Sequence, residues 1–278
     1  MENKERIPVL KTEVNLAYSK GLYSWFCKNI AAVVVVVLSI LNSGKKAFQA
    51  AQYIVLVRAL WIVNHMARKL EGVCSISSSA HDNCLCINKW RNIKGCICEK
   101  CYAYIQQLYQ NGLREHNILN GIILRNVLIP AKYFKLLNIV FPYLRIESFG
   151  DVANVTQARN YIRIIKAFPK KRCAIWTKNI DIYHKAFTAE GGKPKNTTFI
   201  VSSPFMNKPI AETILESYPE IDHIFTVYDK KYIKEHNIVI NCGGKKCIKC
   251  IEQQKNCYFR RNGKNNVLYI NEELKQAK

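Results

Sequence analysis

Beyond residue 125, short apolar runs alternate with amphipathic stretches at a regular spacing. Residues 145–149 (RIESF), 172–177 (RCAIWT), 197–203 (TTFIVSS), 223–229 (HIFTVYD) and 238–241 (IVIN) read as strands, and the stretches near 131–141, 155–168, 180–188, 208–217 and 230–235 read as helices. An earlier strand is expected over residues 73–77 and a helix from about Tyr102. Strand followed by helix, repeated, is the βαβ pattern and predicts an α/β fold with mainly parallel strands. The runs are apolar nearly throughout, as strands covered on both faces are. Polar residues follow each of them: Gly150 and Asp151, Lys178 and Asn179, Ser202 and Ser203, Asp229, then Asn241 and Cys242. In parallel α/β folds the loops at the carboxyl ends of strands form the active-site rim, so these residues become site candidates by position. Each also has an ordinary explanation. Asp151 could cap a helix starting near Val155, and Pro204 makes Ser202 and Ser203 part of a turn.

The first 72 residues have a different texture and form an apolar and helical segment of unassigned role. Ile30 to Leu41 (IAAVVVVVLSIL) is twelve apolar residues, against the ~20 a helix needs to cross a bilayer. Polar residues flank it on both sides, Lys28 and Asn29 before, Asn42, Gly44, Lys45 and Lys46 after. No membrane span is expected. The β-branched Val33 to Val37 favour a buried strand, and residues 46–70, closed by Gly72, read as a helix. An interfacial anchor is the alternative for this pair. The opening MENKERIPVLKTE lacks the apolar core and small-residue cleavage site of a secretory signal. A main domain is expected over 73–257, with a basic tail over 258–278.

At 278 residues and 49% hydrophobic, the chain can bury a full core. Its 42 Lys and Arg against 20 Asp and Glu give a net charge of +22, which favours an anionic substrate, nucleotide or nucleic acid as partner. The basic residues are scattered rather than gathered into a stripe, and a Lys-, Asn- and Ile-rich composition also follows from an AT-rich genome. No GxGxxG or GxxxxGK[ST] phosphate loop occurs, and no GxSxG elbow, which argues against ordinary dinucleotide, NTP or serine-hydrolase chemistry. Oligomeric state is not legible.

Ten of the twelve cysteines crowd into two stretches. The first carries Cys74, Cys84, Cys86, Cys96, Cys98 and Cys101; the second, CGGKKCIKCIEQQKNC, carries Cys242, Cys247, Cys250 and Cys257. Thiolates so closely spaced are what zinc or an iron-sulfur cluster requires of a chain. A disulfide framework would call for an oxidising compartment and a small, core-poor domain. Cys27 and Cys173 stand alone in apolar surroundings and read as inert buried thiols. The first stretch falls in a loop that leaves a strand and feeds a helix N-terminus, whose dipole suits a negatively charged cluster. The second follows the last expected strand, so both groups could meet at one rim. Its four thiolates fill a zinc shell or an auxiliary cluster with no open position, forming a C-terminal knuckle in which Gly243 and Gly244 permit the turn. Lys245, Lys246, Lys249 and Lys255 would offset its charge or grip phosphate. The six histidines form no paired site; His81, beside the cysteines, is the one retained as a candidate ligand.

In order along the chain, CEKCYA (98–103), RIESFGD (145–151), AIWTKN (174–179), FIVSS (199–203) and CGGKKCIKC (242–250) resemble the phage-encoded gene product 88 domain family. Those proteins look like divergent members of the radical S-adenosylmethionine superfamily. The resemblance spans about residues 73–257, and it implies a partial (β/α) barrel in the host cytoplasm. It also implies a 4Fe-4S cluster on three cysteines, its open iron binding S-adenosylmethionine, whose reductive cleavage gives a 5′-deoxyadenosyl radical. Cys98 and Cys101 match the last two cysteines of the motif. The third ligand is Cys96 by proximity, with Cys86 or Cys84 as alternatives, because CxCxxC replaces the usual CxxxCxxC. By the same resemblance Gly150, Asp151, Lys178, Ser202 and Ser203 line the cofactor or substrate pocket. Asp151 would accept from ribose hydroxyls or an amine, and Lys178 would act beside it. Four of the first-stretch cysteines could instead complete a zinc tetrahedron. Two function classes therefore stand: a radical S-adenosylmethionine-like enzyme acting on a nucleotide or nucleic acid, and a non-catalytic zinc-stabilised nucleic-acid-binding protein.

Overall fold

The computed structural model describes residues 45–63, 68–90, 92–243, 246–253, 257–259 and 268–274. The apolar run 30–41 and Cys27 lie outside them. In chain order the elements are α1 (Lys45–Ala59), β1 (Cys74–Ile76), α2 (Tyr102–Tyr109), α3 (Asn111–Asn126), α4 (Ala131–Phe134), β2 (Tyr143–Ile146), α5 (Val155–Ala167) and β3 (Arg172–Thr177). They continue as α6 (Ile180–Ala189), β4 (Thr197–Ser202), α7 (Thr213–Ser217), β5 (His223–Tyr228), α8 (Lys230–His236), α9 (Cys247–Glu252) and β6 (Leu268–Glu273). All six strands are parallel, and each lies beside its neighbour in sequence, in the order β1-β2-β3-β4-β5-β6. The expected parallel α/β architecture is present.

Several expectations need correction. Residues 238–241 are not a strand: Asn237 takes a left-handed conformation, Val239 is 76% exposed, and the amides of Asn241 and Cys242 both donate to the Asn271 carbonyl. The sixth strand is β6, inside the segment expected to be a tail, so the folded unit runs to residue 273. Ile270 faces one cluster and Tyr269 the other, an alternation that a search for continuous apolar runs passes over. Nor does the boundary at 72 divide the fold, since Val57, Ala59 and Leu60 enter the main core and Val63 bridges Ser75. The helix expected over 46–70 ends at Ala59, and β2 begins at Tyr143 rather than 145.

The two faces of the sheet are covered differently. Cys74, Ile76, Leu144, Ile146, Cys173, Ile175, Phe199, Val201 and Ile224 point outward into the large core, packed against α3, α5 and α6 through Leu124, Ile162, Ile165, Tyr183 and Phe187. The opposite, inner face carries Ser75, Arg145, Ala174, Trp176, Ile200 and Ile270, and its apolar part is capped by Ile251 and Tyr258 of the C-terminal cysteine segment. The sheet is also curved. Six strands laid flat at ~4.8 Å spacing would hold the outer two ~24 Å apart. Yet Lys69, just before β1, pairs with Glu272 of β6, and Ile248 of α9 packs on Gly72. The segment before β1 and the last strand therefore approach across the inner face.

Candidate metal centre

The loop from β1 to α2 holds the first cysteines, and several hydrogen bonds anchor it over the carboxyl ends of the strands. Trp90 Nε1 donates to Asn179 Oδ1 at 3.2 Å, the Ile97 amide donates to the Pro204 carbonyl at 2.9 Å, and Cys96 bridges Phe205. Ser78, where the loop begins, gives its amide and hydroxyl to the two oxygens of Glu147 at 3.0 and 2.7 Å. Tyr161 Oη and Gln157 Nε2 donate to Glu147 Oε1 at 2.5 and 3.1 Å. Burial raises the Glu147 carboxyl to a pKa of about 7 in spite of those donors. Gly150 passes so near that a Cβ there would sit 2.5 Å from the Ser78 carbonyl oxygen. Close backbone packing thus accounts for this glycine.

Asp151 is fully engaged by its own scaffold. Its Oδ1 accepts from Thr177 Oγ1 at 2.6 Å and the Val152 amide at 2.7 Å, and Oδ2 accepts from the Lys178 amide at 2.8 Å. It does not cap α5; Asn154 does, accepting from the Gln157 amide. Burial lifts the Asp151 pKa, and Lys178 opposes that rise. For Lys178, burial works against the charge, but Cys98, Asp151, Cys101 and Cys86 around it more than compensate and hold its pKa above the ordinary lysine value. Ser203 is spent on its turn, its hydroxyl donating to the Phe205 and Lys208 carbonyls. Ser202 is buried at the end of β4.

Around Lys178 the structure brings together Cys86, Cys98 and Cys101. Burial raises the Cys86 thiol well above its usual pKa, with Asp151, Cys101 and Cys98 adding to the rise and Lys178 countering it. Burial likewise pushes Cys98 up to about 12, against Lys178 and reinforced by Cys96 and Cys101. Cys96 touches Cys98, and both pack in an apolar cluster with Trp90, Leu85, Ile93 and Ile97. Cys84 is exposed, Cys74 and Cys173 lie in the outer core, and His81 stacks on Tyr104 with ring centroids 3.8 Å apart. Proximity in sequence had ranked Cys96 as third partner. In space Cys96 lies against Cys98, while Cys86 is the thiol that joins Cys98 and Cys101 near Lys178.

The C-terminal cysteines gather on the same inner face around Lys69 and Arg145. Burial raises Cys242, opposed by Lys69, and raises Cys247, opposed by Arg145 and Lys69; Cys247 also feels Cys242 and Cys250. Cys257 is pushed up to about 12 by burial, with Cys242 and Cys247 adding to it. Among the described residues, no three His, Cys, Asp or Glu side chains converge as they would on a single bound ion.

Sequence reasoning missed two residues that link the groups. Arg145 in β2 interacts electrostatically with Tyr102 and with Tyr258, Cys247 and Cys257. Tyr102, directly after Cys101, sends its hydroxyl to the Ser148 carbonyl at 2.6 Å. An arginine inside the run RIESF was the available signal. A surface depression of ~190 Å³ beside Val57, Leu60 and Leu137 is lined by none of the cysteines and carries none of this chemistry. Among the described residues no helix is long and apolar enough to cross a membrane. No protein-family model matches the chain, and no curated protein or solved structure is significantly similar to it.

Proposed function

We propose that the chain is an iron-sulfur enzyme of the radical S-adenosylmethionine kind, its curved parallel sheet acting as a partial (β/α) barrel with the reaction chamber on the inner face. One observation carries the reading: three thiols, Cys86, Cys98 and Cys101, lie near the half-buried Lys178 at the carboxyl ends of the strands. A four-iron cluster takes each thiolate on its own iron, so it asks for three nearby thiols rather than three converging on a point. The donor set fits. Every ligand candidate is a thiol, the neighbouring Asp151 has both carboxylate oxygens engaged elsewhere, and Lys178 supplies positive charge against the thiolates. When bound, such a cluster would supply the electron that cleaves S-adenosylmethionine. The protein's own part is positional. Trp90 and Asn179 pin the loop, Asp151 orients Thr177 and the Lys178 backbone, and Cys96 with Trp90, Leu85 and Ile93 seals one side from water.

For Cys242, Cys247, Cys250 and Cys257 the reading is a closed structural site; because these thiols do not converge as on a single ion, an auxiliary iron-sulfur cluster with one thiolate per iron suits them better than zinc, with Lys69 and Arg145 offsetting their charge. The substrate is anionic on the strength of the +22 charge, a nucleotide or nucleic acid being the largest class that meets this.

Anaerobic purification followed by iron, sulfide and zinc analysis tests the assignment. The expected product is brown, with part of its iron lost in Cys98→Ala, Cys101→Ala and Cys86→Ala but all of it kept in Cys84→Ala. Full iron content in the Cys98 or Cys101 variant, or a colourless protein carrying zinc alone, would overturn the reading.

A further inference from the structure

Arg145 stands on the inner face beside the C-terminal thiols, whose charge it helps offset. Its neighbours in register are Ser75 on β1 and Ala174 on β3, so it stands one strand in from the β1 edge of the sheet, within electrostatic reach of Tyr102 and of Cys247 and Cys257. No carboxylate pairs with it among the described residues, whereas the nearby Lys69 has Glu272. Its Nε is buried without a hydrogen-bond partner. The guanidinium lies over the Trp176 ring, 4.0 Å from the centroid, and Tyr102 and Tyr258 are its electrostatic neighbours. Tyr102 is 57% exposed although its hydroxyl is held deep at Ser148, so the ring borders open space rather than packed core.

An unpaired arginine costs stability unless something anionic completes it, and its planar fork matches the two oxygens of a carboxylate or phosphate. A flat aromatic wall beside the fork suits the body that carries such a group. We infer that Arg145, with Trp176 and Tyr102, forms an oxyanion-binding subsite on the inner face that holds the phosphate or carboxylate of a small substrate bearing a planar ring. The inference rests on reading this face as the substrate chamber; it names the group that anchors the substrate there.

The test titrates the full-length protein by calorimetry with phenyl phosphate, benzoate and neutral benzamide. At least one anion is expected to bind tenfold or more tightly than benzamide, and the better of the two identifies the ester or the acid as the substrate class. Arg145→Gln should abolish that preference, and Arg145→Lys, keeping the charge without the fork, should retain only part of it. Equal binding of all three probes to the parent, or an undiminished preference in Arg145→Gln, would overturn the inference. So would loss of the C-terminal metal from Arg145→Gln with the preference intact, which would leave Arg145 no role beyond offsetting the C-terminal thiolates. If Arg145→Gln does not fold, Arg145→Lys decides in the same way, an unchanged preference counting against the subsite. Because no cluster is needed for these titrations, they can fail while iron binding succeeds, and the reverse.

Discussion

Gly150 and Glu147 show how much of the centre depends on single residues beneath it. A methyl group at Gly150 would meet backbone, the Ser78 carbonyl at 2.5 Å, and backbone cannot swing aside as a side chain can. Gly150→Ala is therefore expected to cost about 1–3 kcal/mol, seen as a lower melting temperature, and to loosen the start of the cysteine loop. Unaltered melting would show that the strand ends yield more easily than this packing implies. Glu147 makes a pH prediction with a definite sign. Its native pKa lies near 7 against 4.5 for the free group, so the unfolded chain ionises first and the native state holds its proton longer. Stability should fall as pH rises from about 4.5 to about 7, by up to about 3 kcal/mol from this residue. Asp82, raised to about 6, and Asp151 act in the same direction and will keep part of the slope. Urea unfolding across that range should show the slope reduced in Glu147→Gln; an identical slope in both proteins would mean that Glu147 is already ionised.

Among the elements, α9 and its cysteines hold the inner face closed. Ile251 and Tyr258 reach into the inner apolar cluster beside Val73, Ala174 and Ile200, so the segment is anchored by packing as well as by any metal. Cys247→Ser or Cys250→Ser should lower the melting temperature, and chelation of the parent should do the same, while folded variant protein still loads iron at Cys98 and Cys101. Melting like the parent together with complete loss of that iron would place these cysteines in the active centre instead. The elements also differ in how legible they were. The strands over 172–177, 197–202 and 223–228 could be read because each is a largely apolar, β-branched and aromatic run ended by polar residues. The β6 strand could not, because its faces alternate and its charged end looks like a tail. The approach of Cys86 to Cys98 and Cys101 was out of reach for a related reason. The turn of residues 85–90 brings Cys86 back over Lys178 through contacts of Trp90 with Asn179, 89 residues away in the chain, and spacing along the sequence carries no trace of that return.

At the level of the whole molecule, every strand finds its partner in the strand made just before it, so the sheet can grow in the order of synthesis. The pairing of Lys69 with Glu272 is of another kind, since 203 residues separate the two. Contacts of that span carry the largest loop-closure cost and tend to form late. On the ribosome, five strands can be in place while the sixth is still being made, with the thiols around Lys178 already assembled and the other wall of the chamber absent. The enclosure that keeps water from the inner face is thus the last thing the chain acquires. A cluster inserted into the emerging protein would meet an open trough, and one inserted after release would meet a nearly finished vessel.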